Sequence, residues 1–206
     1  MMFAVLAAAA LVPAAPTISP REIDRAIAMG RYEQARIMIA TAVGAGASGA
    51  AIERPLAALA AADGRHQEAL ARINALLVTL PDDALLLEQA TLEAMRCGKN
   101  SDAIAFAARA TARPDATWRA WNAKGVLADE AQDWAEADRA YGEAARLAPE
   151  RPEVLNNLGW SRLLRGDWPG AGEALGRAAA LDPSSARIAN NLDLAQLGLA
   201  GDLPAP

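Results

Sequence analysis

The sequence predicts an all-α solenoid, a row of antiparallel helix pairs, on three observations. A 34-residue pattern repeats in constant phase from Pro16 to Ser185. Alanine and other helix formers dominate, and β-branched runs are scarce. Glycine and proline stand at fixed places in the period. The turn position reads Gly30, Gly64, Gly98, Gln132 and Gly166. Five residues after each turn stands an alanine: Ala35, Ala69, Ala103, Ala137 and Ala171. Units of this length bury their apolar faces only by stacking on one another.

Five copies follow in order, 16–49, 50–83, 84–117, 118–151 and 152–185, and 186–206 form a capping helix and tail. In the first, Ser19-Pro20-Arg21-Glu22 reads as an N-cap, a proline at the first helical position and a capping-box glutamate. The stretch Gly44 to Gly49 joins it to the second copy where later joints carry proline. Each glycine lowers helix stability by about 1 kcal/mol against alanine. That joint reads either as a hinge or as a plain helix–helix loop. Position 24 of the copies holds Ile39, Ile73, Ala107, Tyr141 and Leu175, and position 27 holds Ala42, Leu76, Ala110, Ala144 and Ala178. Pro81, Pro149 and Pro183 stand at position 32, where they end one helix pair and open the next. In the third copy Asp115 takes that place, with Pro114 one residue early. The fourth and fifth copies add a large residue at position 4, Trp121 and Leu155, and glycine at position 8, Gly125 and Gly159. A sixth copy begins with Asn190-Asn191-Leu192, which repeats Asn156-Asn157-Leu158. This last helix, about Ser185 to Leu199, is expected to cap the open face of the stack.

The chain carries 20 basic and 25 acidic residues, a net charge of −5, with no basic stripe. Nucleic-acid binding is disfavoured, since phosphates are neutralised by clustered Lys and Arg. One histidine, His66, and one cysteine, Cys97, leave no cluster for a structural zinc and no disulfide within the chain. His66 occupies repeat position 17, where Tyr32, Asn100, Trp134 and Trp168 stand in the other copies, so it reads as a packing residue. Gly46-Ala47-Ser48-Gly49-Ala50 lacks the last glycine of a nucleophile elbow and has no preceding strand. Gly98-Lys99 lacks the upstream glycine of a phosphate loop, since position 93 is glutamate. The expectation is therefore no catalytic residues, no metal, no cofactor and no enzyme.

Phe3 to Val12 is a continuous apolar run that Pro13 breaks and small residues follow. It reads as a signal peptide over residues 1–15, although no Lys or Arg precedes it. It is too short for an integral membrane span, which takes about 20 apolar residues. A periplasmic or secreted protein is expected. The alternative is a cytoplasmic protein that keeps the run as a helix.

The large residue at 4, small residues at 8, 20 and 27, the residue at 24 and Pro at 32 resemble the tetratricopeptide repeat. The resemblance implies a right-handed superhelix of A and B helices that binds a protein or peptide partner in a concave groove. In that family the groove is lined by helix A at positions 2, 5, 9, 12 and 13. Carried onto this chain, position 9 is an apolar row, Leu92, Val126, Trp160 and Leu194. Position 5 is an amide row, Asn122, Asn156 and Asn190. Arg119 and Arg187 stand at position 2, and Met95 and Leu163 at position 12. The amide row has two readings: side chains that bond a peptide backbone, or structural contacts like those expected of Asn157 and Asn191 at position 6. The cationic clamp that some members use for an acidic tail is absent, since position 5 lacks Lys or Arg in the last copies and position 9 lacks Asn. The stretch Val154–Trp160 and its echo Ala186–Leu192 look like the repeat proteins of the bacterial Flp (tight-adherence) pilus assembly group. That resemblance implies a role in envelope or pilus assembly or secretion. No lipid-attachment cysteine follows the apolar run, which departs from that group's anchored members. An accessory module of an enzyme complex is the remaining alternative.

Overall fold

The computed structural model describes residues 18–202, which form eleven helices and no strand. In chain order these are α1 Pro20–Ala28, α2 Tyr32–Gly44, α3 Ala50–Ala62, α4 His66–Thr79, α5 Ala84–Arg96 and α6 Asn100–Thr111. They continue with α7 Trp118–Glu130, α8 Trp134–Leu147, α9 Pro152–Leu164, α10 Trp168–Leu181 and α11 Ala186–Ala200. Odd-numbered helices are A helices and even-numbered ones B helices. From Ala50 onward every A helix begins one period after the last, and so does every B helix from Tyr32 onward. The fold is an all-α repeat solenoid. The signal peptide read over residues 1–15 lies outside the described residues.

The five A-to-B turns share one backbone solution. Residues 30, 64, 98, 132 and 166 all take a left-handed conformation, with φ between 55° and 75°. The next residue's N–H then bonds back to the carbonyl five residues upstream, as in Arg65 to Ala60 (2.8 Å) and Asp133 to Ala128 (2.9 Å). This is the Schellman closure of a helix C-terminus, and glycine adopts it without steric cost. Gln132 is the one non-glycine residue with positive φ among the described residues. Where the next helix begins, Asp83, Thr117, Asp133, Asp167 and Ser185 accept a backbone N–H as N-caps, each worth about 1 kcal/mol. At α1 the Glu22 carboxylate accepts both the N–H and the hydroxyl of Ser19, at 2.8 and 2.9 Å. The Gly44–Gly49 joint is a loop of ordinary length, with Gly46 and Gly49 at positive φ.

Within each pair, positions 8 and 24 meet as complementary volumes. Gly125 faces Tyr141, and a Cβ there would lie 2.6 Å from the ring. Gly159 faces Leu175, and a Cβ there would lie 2.4 Å from its Cγ. The second and third copies place Ala57 with Ile73 and Thr91 with Ala107, all buried. The first copy pairs two isoleucines, Ile23 and Ile39. Two bulky residues at that junction hold helices apart, and α1 also leans on α3.

Helices pack on their neighbours in sequence, and A helices also pack on the next A helix: α1 on α3, α5 on α7, α7 on α9 and α9 on α11. Successive B helices do not pack comparably among the described residues. A row whose A sides touch and whose B sides splay curves with the A helices inside. The concave surface is therefore built by A helices. Position 17 helps dock α4, α6 and α10 onto the following A helix. His66 Nδ1 lies 2.8 Å from Glu93 Oε2, Asn100 donates to Glu130 at 2.9 Å, and Trp168 packs on Gly198 of α11.

Candidate partner-binding groove

The inner face of α5, α7, α9 and α11 carries the apolar row at position 9. Leu92 and Val126 are half-buried. Trp160 is 42 % exposed and Leu194 38 %. The row thus opens toward the C-terminal end of the stack. Leu164 and Leu197, one turn further along their helices, are exposed beside it.

The amide row does something else. Asn156 is only 3 % exposed. Its Oδ1 accepts from Asn191 Nδ2 at 2.9 Å, and Asn122 Oδ1 accepts from Asn157 Nδ2 at 3.1 Å. The bonds run diagonally, from position 5 of one A helix to position 6 of the next. Position 5 serves the same end in earlier copies. Arg54 donates to Asp83, the N-cap of α5, at 2.6 Å, and Glu88 accepts from the hydroxyl of Thr117, the N-cap of α7. Position 5 is an inter-repeat clamp. The expectation that Asn156 faces a partner is corrected: its amide is spent inside the wall. Asn122 is half-buried and likewise engaged, whereas Asn190 is exposed.

A second correction concerns Leu163. It is 6 % exposed and packs with Ala171, Leu175 and Ala195, because α11 covers position 12 of the fifth copy. Met95, at the same position of the third copy, is half-buried against the core. Arg119 and Arg187 are exposed, and the Arg119 guanidinium lies 4.6 Å from the centre of the Trp118 ring. The structure therefore brings Val126 and Trp160 together, leaves Leu194 on the next helix, and removes Asn156 and Leu163 from the surface.

Between α7 and α9 the face deepens into a cleft of about 320 Å³, lined by Val126, Asp129, Glu130, Tyr141, Asn157, Trp160 and Leu164. Asp129 forms its polar floor. Its Oδ2 accepts from the Tyr141 hydroxyl at 2.8 Å and its Oδ1 from the Ser161 hydroxyl at 2.5 Å. Burial pushes the Asp129 carboxyl above the usual aspartate range, and the two hydroxyl donors hold that rise back. Burial, together with the neighbouring Asp129 charge, raises the Tyr141 phenol well above its ordinary value. Asp129, Glu130 and Leu164 stand at the groove-lining positions 12 and 13 of the fourth and fifth copies. The cleft residues that sequence reasoning did not place in the groove are Tyr141 and Asn157. Tyr141 reads as core from sequence because its ring fills the space over Gly125, while its hydroxyl reaches the cleft floor.

Among the described residues no helix is long and apolar enough to cross a membrane.

Residues 122–186 match the tetratricopeptide repeat family model. No curated protein sequence matches the chain. Among solved structures, PilF of Pseudomonas aeruginosa is similar with a TM-score of 0.74 at 17% identity, over 89% of this chain and 84% of that one. PilW, described as a widely conserved type IV pilus biogenesis factor, gives 0.73 at 16% identity, over 88% of this chain and 87% of that one. A crystal structure of MamA gives 0.65 at 19% identity, over 72% and 81%. At such identities the likeness establishes the fold. The spacing of the helices and these structural neighbours establish an all-α repeat solenoid, within which residues 122–186 are the segment that matches the tetratricopeptide repeat.

Proposed function

We propose that the chain is a non-catalytic scaffold that holds a protein or peptide partner in the groove of its A helices. The observation that carries this reading is the exposed apolar line Trp160, Leu164, Leu194 and Leu197 on the concave side, where the core is already filled without them. Exposed apolar residues on B helices, such as Ile37 and Val43 on α2, Val78 on α4 and Ile104 on α6, are scattered over several helices, which is ordinary for a protein surface. A contiguous line on a concave face marks an interaction site, and tryptophan is enriched among residues that dominate binding energy.

The setting we propose is the cell envelope, in assembly or secretion of a pilus. Support comes from the apolar run Phe3–Val12 and from the likeness in fold to the pilus biogenesis factor PilW and to PilF. A mature chain beginning near Pro16 in the periplasmic fraction is the expected product. A full-length chain confined to the cytoplasm would overturn the envelope setting.

Photo-crosslinking in the native cell tests the groove. A benzophenone amino acid replaces Trp160 in one variant and Val78, 82 % exposed on α4, in another. A discrete adduct at position 160 that is missing at position 78 is expected. Adducts of equal yield at both positions, or at 78 alone, would refute a concave partner site.

A further inference from the structure

We propose that the cleft between α7 and α9 receives a lysine or arginine side chain of a partner polypeptide, flanked there by apolar residues. The inference rests on the groove reading and specifies its partner. Val126, Trp160 and Leu164 give the cleft apolar walls, and Asp129 and Glu130 are its only charged lining residues. Glu130 is exposed, and one oxygen accepts from the Asn100 amide, a neutral donor. Asp129 is likewise bonded by two neutral hydroxyls. The nearby Arg165 guanidinium is paired with Asp138 at 2.6 Å. The cleft therefore holds negative charge that no lining cation balances, in surroundings drier than open water.

A cation seated there gains on three counts. It offsets two carboxylates in a partly desolvated place. It can lie over the open face of Trp160, an attraction worth about 0.5–1 kcal/mol at exposed sites. Its aliphatic stem covers Val126 and Leu164 while its head meets the rim. An acidic side chain would be repelled, and a purely apolar one would bury the carboxylates unpaired. The Asn157 amide, with one N–H engaged by Asn122, keeps a donor for a peptide carbonyl. Burial raises the Asp129 pKa, and the Arg165 charge nearby does not cancel that rise. The chain's own apolar run Phe3–Val12 does not fit this description, because it contains no Lys or Arg.

Three acetylated, amidated pentapeptides test it, Ser-Leu-Arg-Leu-Ser and its Gln- and Glu-centred analogues. The readout is the indole N–H resonance of Trp160 in the full chain, assigned with Trp160→Phe. The Arg peptide is expected to shift this resonance saturably, and the Gln and Glu peptides to bind more weakly, in that order. Glu130→Gln, which keeps the Asn100 bond, is expected to weaken the Arg peptide about two- to fivefold, the range of an exposed ion pair. Equal binding of the Arg and Gln peptides would overturn the cationic preference and leave the groove reading standing. No shift with any peptide would overturn the proposal, while the crosslink at position 160 judges the groove independently. A Trp160 shift on concentrating the protein alone would identify a second copy as the occupant and overturn it as well.

Discussion

Two glycine-to-alanine substitutions with the same local chemistry are expected to move stability in opposite directions. Gly159 lies in the interior of α9 and Gly176 in the interior of α10. A Cβ at Gly176 meets nothing within 4 Å. Gly176→Ala should therefore gain the helix-propensity difference, about 1 kcal/mol. A Cβ at Gly159 would lie 2.4 Å from Leu175 Cγ, with the two Cδ atoms at 2.9 and 3.2 Å. Leu175 is fully buried, so the whole branched end must shift rather than one flexible tip. Overpacking of this kind costs about 1–3 kcal/mol. Subtracting the propensity gain leaves Gly159→Ala about 0–2 kcal/mol less stable than the parent. Because propensity cancels between the two variants, their difference isolates the overpacking cost.

The assay is urea unfolding followed by far-UV circular dichroism, with midpoints compared at constant slope. Leu175→Ala supplies the internal check. It removes the atoms that clash, at a cost of about 2–5 kcal/mol, and in that background Gly159→Ala should become stabilising. The coupling between the two positions is then the measured quantity. Equal upward shifts for Gly159→Ala and Gly176→Ala would refute the claim that positions 8 and 24 interlock.

Gln132→Gly should stabilise the chain by about 1–2 kcal/mol, the cost of a left-handed side chain, since Gln132 has a φ of 55° where the other copies have glycine; a lowered melting temperature would contradict this. Asn156→Ala should cost about 1–3 kcal/mol because it strands the Asn191 amide, whereas Asn190→Ala, at an exposed amide, should stay within about 0.5 kcal/mol; equal effects in chemical denaturation would sink the clamp. Asp129→Asn should alter the pH profile of stability. The folded pKa of Asp129 is raised, so ionisation favours the unfolded chain as pH climbs past the ordinary aspartate value of about 3.9. Wild type should lose stability relative to the Asn variant over that rise and hold a constant gap above the raised pKa. A wild type that gains stability relative to the Asn variant as pH rises would reverse the assigned sign.

The period made the solenoid legible because each copy spends the same backbone devices at the same place. Glycine at the left-handed turn and proline between pairs are local requirements, so they survive in single residues such as Gly98 and Pro149. The volume match between positions 8 and 24 is harder to read, because it is a sum and not an identity. Gly with Leu, Ala with Ile and Thr with Ala bring a similar number of side-chain atoms to the junction with different letters. The family model accordingly matches 122–186, where the glycine–large solution is used. Of the two readings of the amide row, Asn156 follows the structural one, for a geometric reason. Aligning copies at the 34-residue period puts Asn122 beside Asn156, yet the bonds join Asn122 to Asn157 and Asn156 to Asn191, one residue out of phase. Leu163 was misread because its cover comes from α11, so its burial depends on how the last helix closes over the fifth copy.

The clamp at position 5 also bears on why the cleft lies where it does. Each clamp ties one A helix to the first two turns of the next or to its N-cap, and so fixes the angle at which the two inner faces meet. Arg54, Glu88, Asn122 and Asn156 all do this, with different chemistry. The first copy has Pro20 at that position, which has no side chain that can donate or accept. Its junction relies instead on the apolar cluster of Ile23, Ile39, Ile52 and Leu59 and on the Arg36–Asp63 pair at 2.8 Å. Apolar packing is non-directional, whereas a hydrogen bond constrains angle as well as distance. The groove is therefore set with least freedom from the second copy onward. The α7/α9 cleft lies inside that clamped part, with the Asn122–Asn157 bond crossing its own two helices and the Asp129–Ser161 bond doing the same further along both helices. A surface held by two directional bonds across one interface loses little conformational freedom when a partner arrives, and binding retains the energy that ordering would otherwise consume.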